Sequence, residues 1–196
     1  MWHFTDGLKL RDGQPLEVGK TYVFDGNPVM CRSGYHASRE PVDALQYAPG
    51  FQVSVVKCED ITEEQDDKLV CKRRTVVATA DARDTILLWA ADVAEHAVRK
   101  YYTGTSKASM EAIEMVRRHV RGAATQEECR NAAYAADAAD AAYAVAYAAY
   151  ATYAAADAAY AAYAAYAAYA AYAAAYAAAN RLLRIRLTAL LSRGRR

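Results

Sequence analysis

From Asn131 to Asn180 the chain is built almost entirely from alanine and tyrosine, closing in AAYAAYAAYAAYAAYAAAYAAAN. Alanine has the highest helix propensity and tyrosine a middling one, and neither glycine nor proline interrupts the chain between Gly122 and Gly194, so the composition predicts helix. An unbroken helix from Gln126 to Ser192 would be about 100 Å long, several times the radius of a compact chain of this size. Such an element must project, bend at Thr152-Tyr153 or Asn180, or pair with another copy.

Tyr134, Tyr143, Tyr147, Tyr150, Tyr153, Tyr160, Tyr163, Tyr166, Tyr169, Tyr172 and Tyr176 set the surface of that helix. From Tyr160 to Tyr172 they step by three residues, about 300° each, so the stripe winds about 240° round the axis over four steps. No straight partner covers such a stripe along one seam. Burying each ring removes roughly 150 Å² or more from water, a few kcal/mol apiece as an upper estimate. The tract is therefore expected to pack in a helical hairpin, against the N-terminal unit, or in a homo-oligomer, with alanine allowing close helix approach. A structural repeat stacking on itself is the simplest reading, and a recognition surface for a protein partner is the sharper one. Stacking of single-stranded nucleic acid is disfavoured, because the tract has no lysine or arginine to follow phosphates.

The 196 residues divide near Gly122 into a mixed globular part and this helical part. The formal charge of +1 is unevenly spread: residues 1–130 hold 18 basic and 20 acidic side chains, whereas 131–196 hold 6 and 3. All late arginines follow Asn180, namely Arg181, Arg184, Arg186, Arg193, Arg195 and Arg196. With Leu183, Leu187, Leu190 and Leu191 they form a basic amphipathic end, suited to a docked, dipole-stabilised helix or to an anionic membrane or nucleic acid. Asp137, Asp140 and Asp157 argue against a transmembrane span. Cys31, Cys58, Cys71 and Cys129 show no C-x-x-C pair, and the N-terminus has no secretory pattern, so a reduced cytoplasmic protein is expected.

Before the helices, Met1–Thr5, Thr21–Phe24, Val29–Arg32, Phe51–Lys57 and Leu69–Ala78 read as strands separated by Asp-Gly, Ser-Gly and Pro-Gly turns. The fold class is α+β: a small, mainly antiparallel header over 1–79, two amphipathic connecting helices over 80–122, and the Ala/Tyr region over 125–196. Pro41–Tyr47 predicts a short helix. Asp81 caps a helix reaching Tyr102, a second runs from Ser106 or Lys107 to Arg121 and stops at Gly122, and Thr125 with Glu128 forms a capping box.

Chemistry is sparse. Cys31, His36 and Tyr47 stand where a Gly turn and a short helix could bring them together, as a weak Cys-His pair or as a structural histidine with its usual local bonds. Zinc ligation by Cys31, His36, Cys58 and Cys71 does not match common spacings, and the sequence calls for no cofactor.

Trp2-x-Phe4, Leu10-Arg-Asp-Gly13, Cys31-x-Ser-Gly-x-His-Ala-Ser38, Pro41-x-Asp-Ala-Leu-x-Tyr-Ala-Pro-Gly50 and Asp67-Lys-Leu-Val-Cys71 resemble the N-terminal module of an uncharacterised group of bacteriophage and bacterial proteins. In that group a header precedes alanine-rich repeats; here tyrosine replaces the more usual tryptophan or charged residues. The resemblance implies a phage or mobile-element association and supplies no catalytic residue. A fainter resemblance is to ADP-ribosyltransferase-like folds, which would cast His3 with Tyr35 or Tyr47 around a nicotinamide nucleotide, with Glu59, Glu63 or Glu64 as the available carboxylates. The expected function is a non-enzymatic interaction or scaffold protein that binds itself or a host or phage protein; the alternative is that nucleotide enzyme, acting through His3, His36 and Tyr47.

Overall fold

A computed structural model describes residues 1–101, 107–138 and 173–193. Five antiparallel strands, β1 (Trp2–Thr5), β2 (Thr21–Val23), β3 (Tyr35–Ala37), β4 (Gln52–Glu64) and β5 (Leu69–Asp81), form one sheet. The helices are α1 (Pro41–Leu45), α2 (Arg83–Tyr101), α3 (Lys107–Val120), α4 (Gln126–Ala138) and α5 (Ala173–Arg193). This is the expected α+β architecture of a small antiparallel sheet followed by helices.

The β4–β5 hairpin is the spine of the sheet. β1 pairs with the start of β4, while β2 and β3 lie end to end along the far side of β5. Trp2 then bridges to Ser38, just past β3, through paired backbone bonds of 2.8 and 3.0 Å. That bridge closes a ring of strands, β1–β4–β5–β3–β1, and gives the sheet an inside.

Two bulges decide which side chains enter it. Val56 pairs with Val76 but Val55 pairs with Ala78, leaving Val77 as the extra residue on β5. A bulge re-aims the side chains beyond it. Ala78 accordingly belongs to the core shared with the helices, whereas Val76 belongs to the ring interior with Tyr22, Val56, Cys58, Leu69 and Cys71. Arg74, two residues before Val76 and directly opposite both Cys58 and Tyr22, goes inside with them.

Several sequence signals appear as their chemistry demands. The Asp81 carboxylate accepts from the Arg83 amide at 2.9 Å, and the Thr125–Glu128 box closes reciprocally, with bonds of 2.7 and 3.2 Å. Gly122 ends α3 at φ 72°, with the Ala123 amide returning to the Arg118 carbonyl. Two strand expectations need correction. Val29–Arg32 is a turn, because Cys31 takes a left-handed φ of 61° and the Ser33 amide closes onto the Val29 carbonyl. β4 runs on to Glu64 rather than stopping near Lys57, since its charged second half gains ladder bonds to β5 while remaining exposed.

The helix-facing core joins the two ends of the chain. Trp2, Phe4, Leu45, Val53, Leu87 and Trp89 pack with Ile113, Ala133, Ala179, Leu183 and Leu187. Two polar contacts lock α5 into this layer: the Trp89 indole donates to the Ala179 carbonyl at 2.9 Å, and the buried Asn180 Oδ1 accepts from the Val42 amide at 3.1 Å. Asn180 thus satisfies an amide at the start of α1, where Glu40 makes no side-chain cap. In a single straight helix Ala133 and Ala179 would stand about 70 Å apart. Both lie in one core, so α4 and α5 are not the two ends of one straight helix.

Candidate functional site

The tyrosine stripe from Tyr147 to Tyr172, together with Tyr143, lies outside the described residues, as do Arg195 and Arg196. Tyr176 falls within α5, and its side chain is likewise outside them. Tyr134, on α4, is 55% exposed. Of the C-terminal arginines, Arg184 reaches Glu40, and Arg186 reaches Asp92 on α2, which also binds Arg117 of α3. Arg181 and Arg193 are exposed. The basic end is thus partly committed to holding α5 on the body of the protein.

The sequence-derived candidates fall into two environments. The His36 ring is clasped by backbone: Nε2 accepts from the Cys31 amide at 2.9 Å, and the ring also bonds to the Gly34 carbonyl. The neutral tautomer with its proton on Nδ1 fits this arrangement. Gly34 is required here, at φ 87° and with a hypothetical Cβ only 2.6 Å from Pro28 Cβ. Tyr47 is outside, half exposed, with its hydroxyl on the Asp67 carboxylate and Lys68 Nζ 4.8 Å from its ring centroid. This contact joins the Asp-Ala-Leu-x-Tyr motif to the Asp-Lys-Leu-Val-Cys motif. His3, opposite Ser54 on β4, alternates with the helix-facing Trp2 and Phe4 and so turns to the other face of β1, where its ring bonds to the His36 carbonyl.

A group that the motifs did not single out sits at the centre. Arg74 is 3% exposed, and its Nη1 donates to the His36 carbonyl at 3.0 Å. Its guanidinium stacks 4.9 Å from the Tyr35 ring centroid, and its Nε is buried without any partner. The ionisable groups that favour its charge are Cys58, Cys71, Tyr35 and Tyr22, all thiols and phenols. Burial pulls the guanidinium below the ordinary arginine range. Burial first and the Arg74 charge second hold His36 and, more strongly, His3 below the usual imidazole value. Cys58 is lowered chiefly by its hydrogen bond with Cys71, whose own thiol is pushed far up. Tyr22 is tied to the 15–17 loop, donating to the Pro15 carbonyl at 2.6 Å and accepting from the Glu17 amide at 2.9 Å.

Arg74 was legible in principle. In Lys72-Arg-Arg-Thr-Val76 it keeps the two-residue phase of Val76 and so occupies an apolar face, although the run reads as surface charge. Among the described residues no group of three or more metal-ligating side chains gathers, and no helix is long and apolar enough to cross a membrane. A depression of 370 Å³ opens on the helix-facing side, between Trp2, Val55, Ala78, Arg184 and Leu191, away from the Arg74 cluster.

No curated protein and no solved structure matches the chain. Residues 3–88, which carry the ring of strands, α1 and the first turns of α2, match the model of a family described as a domain of unknown function, DUF7666, and over that stretch the chain is similar to this uncharacterised family.

Proposed function

We propose that the chain is a non-enzymatic interaction protein, of phage or mobile-element association, that offers its Ala/Tyr tract to a second copy or to a protein partner. The supporting observation is the anchoring of both flanks of the tract. α4 enters the core through Ala133, and α5 through Ala179, Leu183 and Leu187, with Asn180 and the Trp89 indole fixing the return. A surface whose two ends are held on one rigid base loses less freedom when it binds, which favours association. His3 and His36 adjoin Arg74, but Tyr47 stands apart on Asp67, so the three residues named for nucleotide transfer do not gather in one site.

Light scattering tests the proposal on the full chain across concentration, alone and with host lysate proteins captured on it. Replacing Tyr163 and Tyr169 together by serine should lower the solution mass or release the captured partner. An unchanged mass, capture pattern and melting curve would overturn the reading.

A further inference from the structure

We infer that Arg74 is the anchor of a binding site for an oxyanion group, phosphate in the first instance, inside the ring of strands. The inference stands apart from the role proposed for the tyrosine tract.

A buried charge costs several kcal/mol unless it is paired, so a lone guanidinium in a protein interior needs an account. Arg74 is 3% exposed, its neighbours on both flanking strands are a thiol and a phenol, and its one hydrogen bond is to a carbonyl. None of these carries the fixed negative charge of a carboxylate. The Tyr35 face attracts it, but a ring quadrupole is no substitute for a counter-ion.

The geometry says which edge remains. An arginine presents its donors as a planar fork, and pairs of parallel N–H groups match two oxygens of a carboxylate or phosphate. Nη1 is turned to the His36 carbonyl, so the Nε–Nη2 edge is left, and its Nε has no partner at all. An oxyanion on that edge would supply both the missing charge and the missing acceptor. Phosphate is favoured over a carboxylate because it carries the greater charge near neutral pH.

The surrounding structure fixes the guanidinium in place. The Val77 bulge turns Arg74 inward, and the His36 ring, held at both nitrogens by backbone, fixes the carbonyl that orients the guanidinium. Neither histidine has a raised proton affinity, so neither competes with Arg74 as the principal cation at neutral pH.

Isothermal titration of the full chain with sodium phosphate, at ionic strength held constant with chloride, reads the site directly. Saturable uptake of one phosphate is expected, weakened about tenfold or more in Arg74→Met, as befits loss of a charge-assisted pair. Arg74→Lys should recover only part of it, since an ammonium cannot reproduce the fork. Should the methionine variant fail to fold, the wild-type chain decides alone: the slowly exchanging Arg74 Nε–H resonance should move on adding phosphate and stay fixed with chloride. ADP in a parallel arm separates the sources, because tighter binding than inorganic phosphate identifies a nucleotide and equal binding a free phosphate. Absence of saturable uptake, equal uptake by Arg74→Met, or an unmoved Nε–H signal would each overturn the assignment.

Discussion

The molecule has two interiors, and they are built on opposite rules. Against the helices, Trp2, Phe4, Val53, Trp89, Leu183 and Leu187 make an apolar layer in which the buried Trp89 and Asn180 side chains meet matched backbone partners. Inside the ring of strands, cysteines, tyrosines, histidines and an unpaired arginine share a space that Leu10, Leu16 and Val76 close. The first interior contributes to stability with nearly every atom it buries. The second sets a charge where it costs stability, and a fold retains such an expense most readily where the charge has work to do.

If that contrast is right, the largest loss should come from trimming the helix-facing layer. Leu187 is fully buried, so Leu187→Ala is expected to remove about 2–5 kcal/mol in urea unfolding. A loss below 1 kcal/mol would mean that α5 contributes little to the common core. Asn180→Ala probes the polar join in the same layer and leaves the Val42 amide without an acceptor. About 1–3 kcal/mol should disappear, and Asn180→Asp, which keeps the acceptor, should lose less.

The smallest effect belongs to the ring interior and is read by pH. His3 and His36 bind protons less readily folded than unfolded. The unfolded chain therefore takes up more protons as pH falls below about 6.5, and stability declines through that window while staying level above it. Melting curves between pH 8 and 5 should show this fall, and Arg74→Met, which removes the second cause of both shifts and leaves burial in place, should lessen it. A melting temperature that rises on acidification would contradict the placement of both histidines.

What the sequence disclosed follows the same division. Local devices were legible because their chemistry is local: the Asp81 cap, the Thr125–Glu128 box and the Gly122 stop each act within five residues. The α+β class followed from strand and turn patterns. The return of α5 onto α1 was harder to read, since Asn180 in an alanine run gives no sign that its amide caps a helix far upstream. Arg74 was hidden for a related reason: the bulge at Val77 that turns it inward is a property of strand register, which pairwise contacts set and composition does not. The second half of β4 escaped because charged residues read as loop, although an exposed ladder tolerates them.

The bond between the Val42 amide and Asn180 spans 138 residues. At ordinary translation speeds the ribosome needs roughly 7 to 28 seconds to cover that distance. Until then Leu45, Val53 and Trp89 wait for their cover, and the nascent chain displays an oily seam that chaperones can grasp. Substituting slow codons between the two segments would lengthen that interval without altering a single contact of the finished protein.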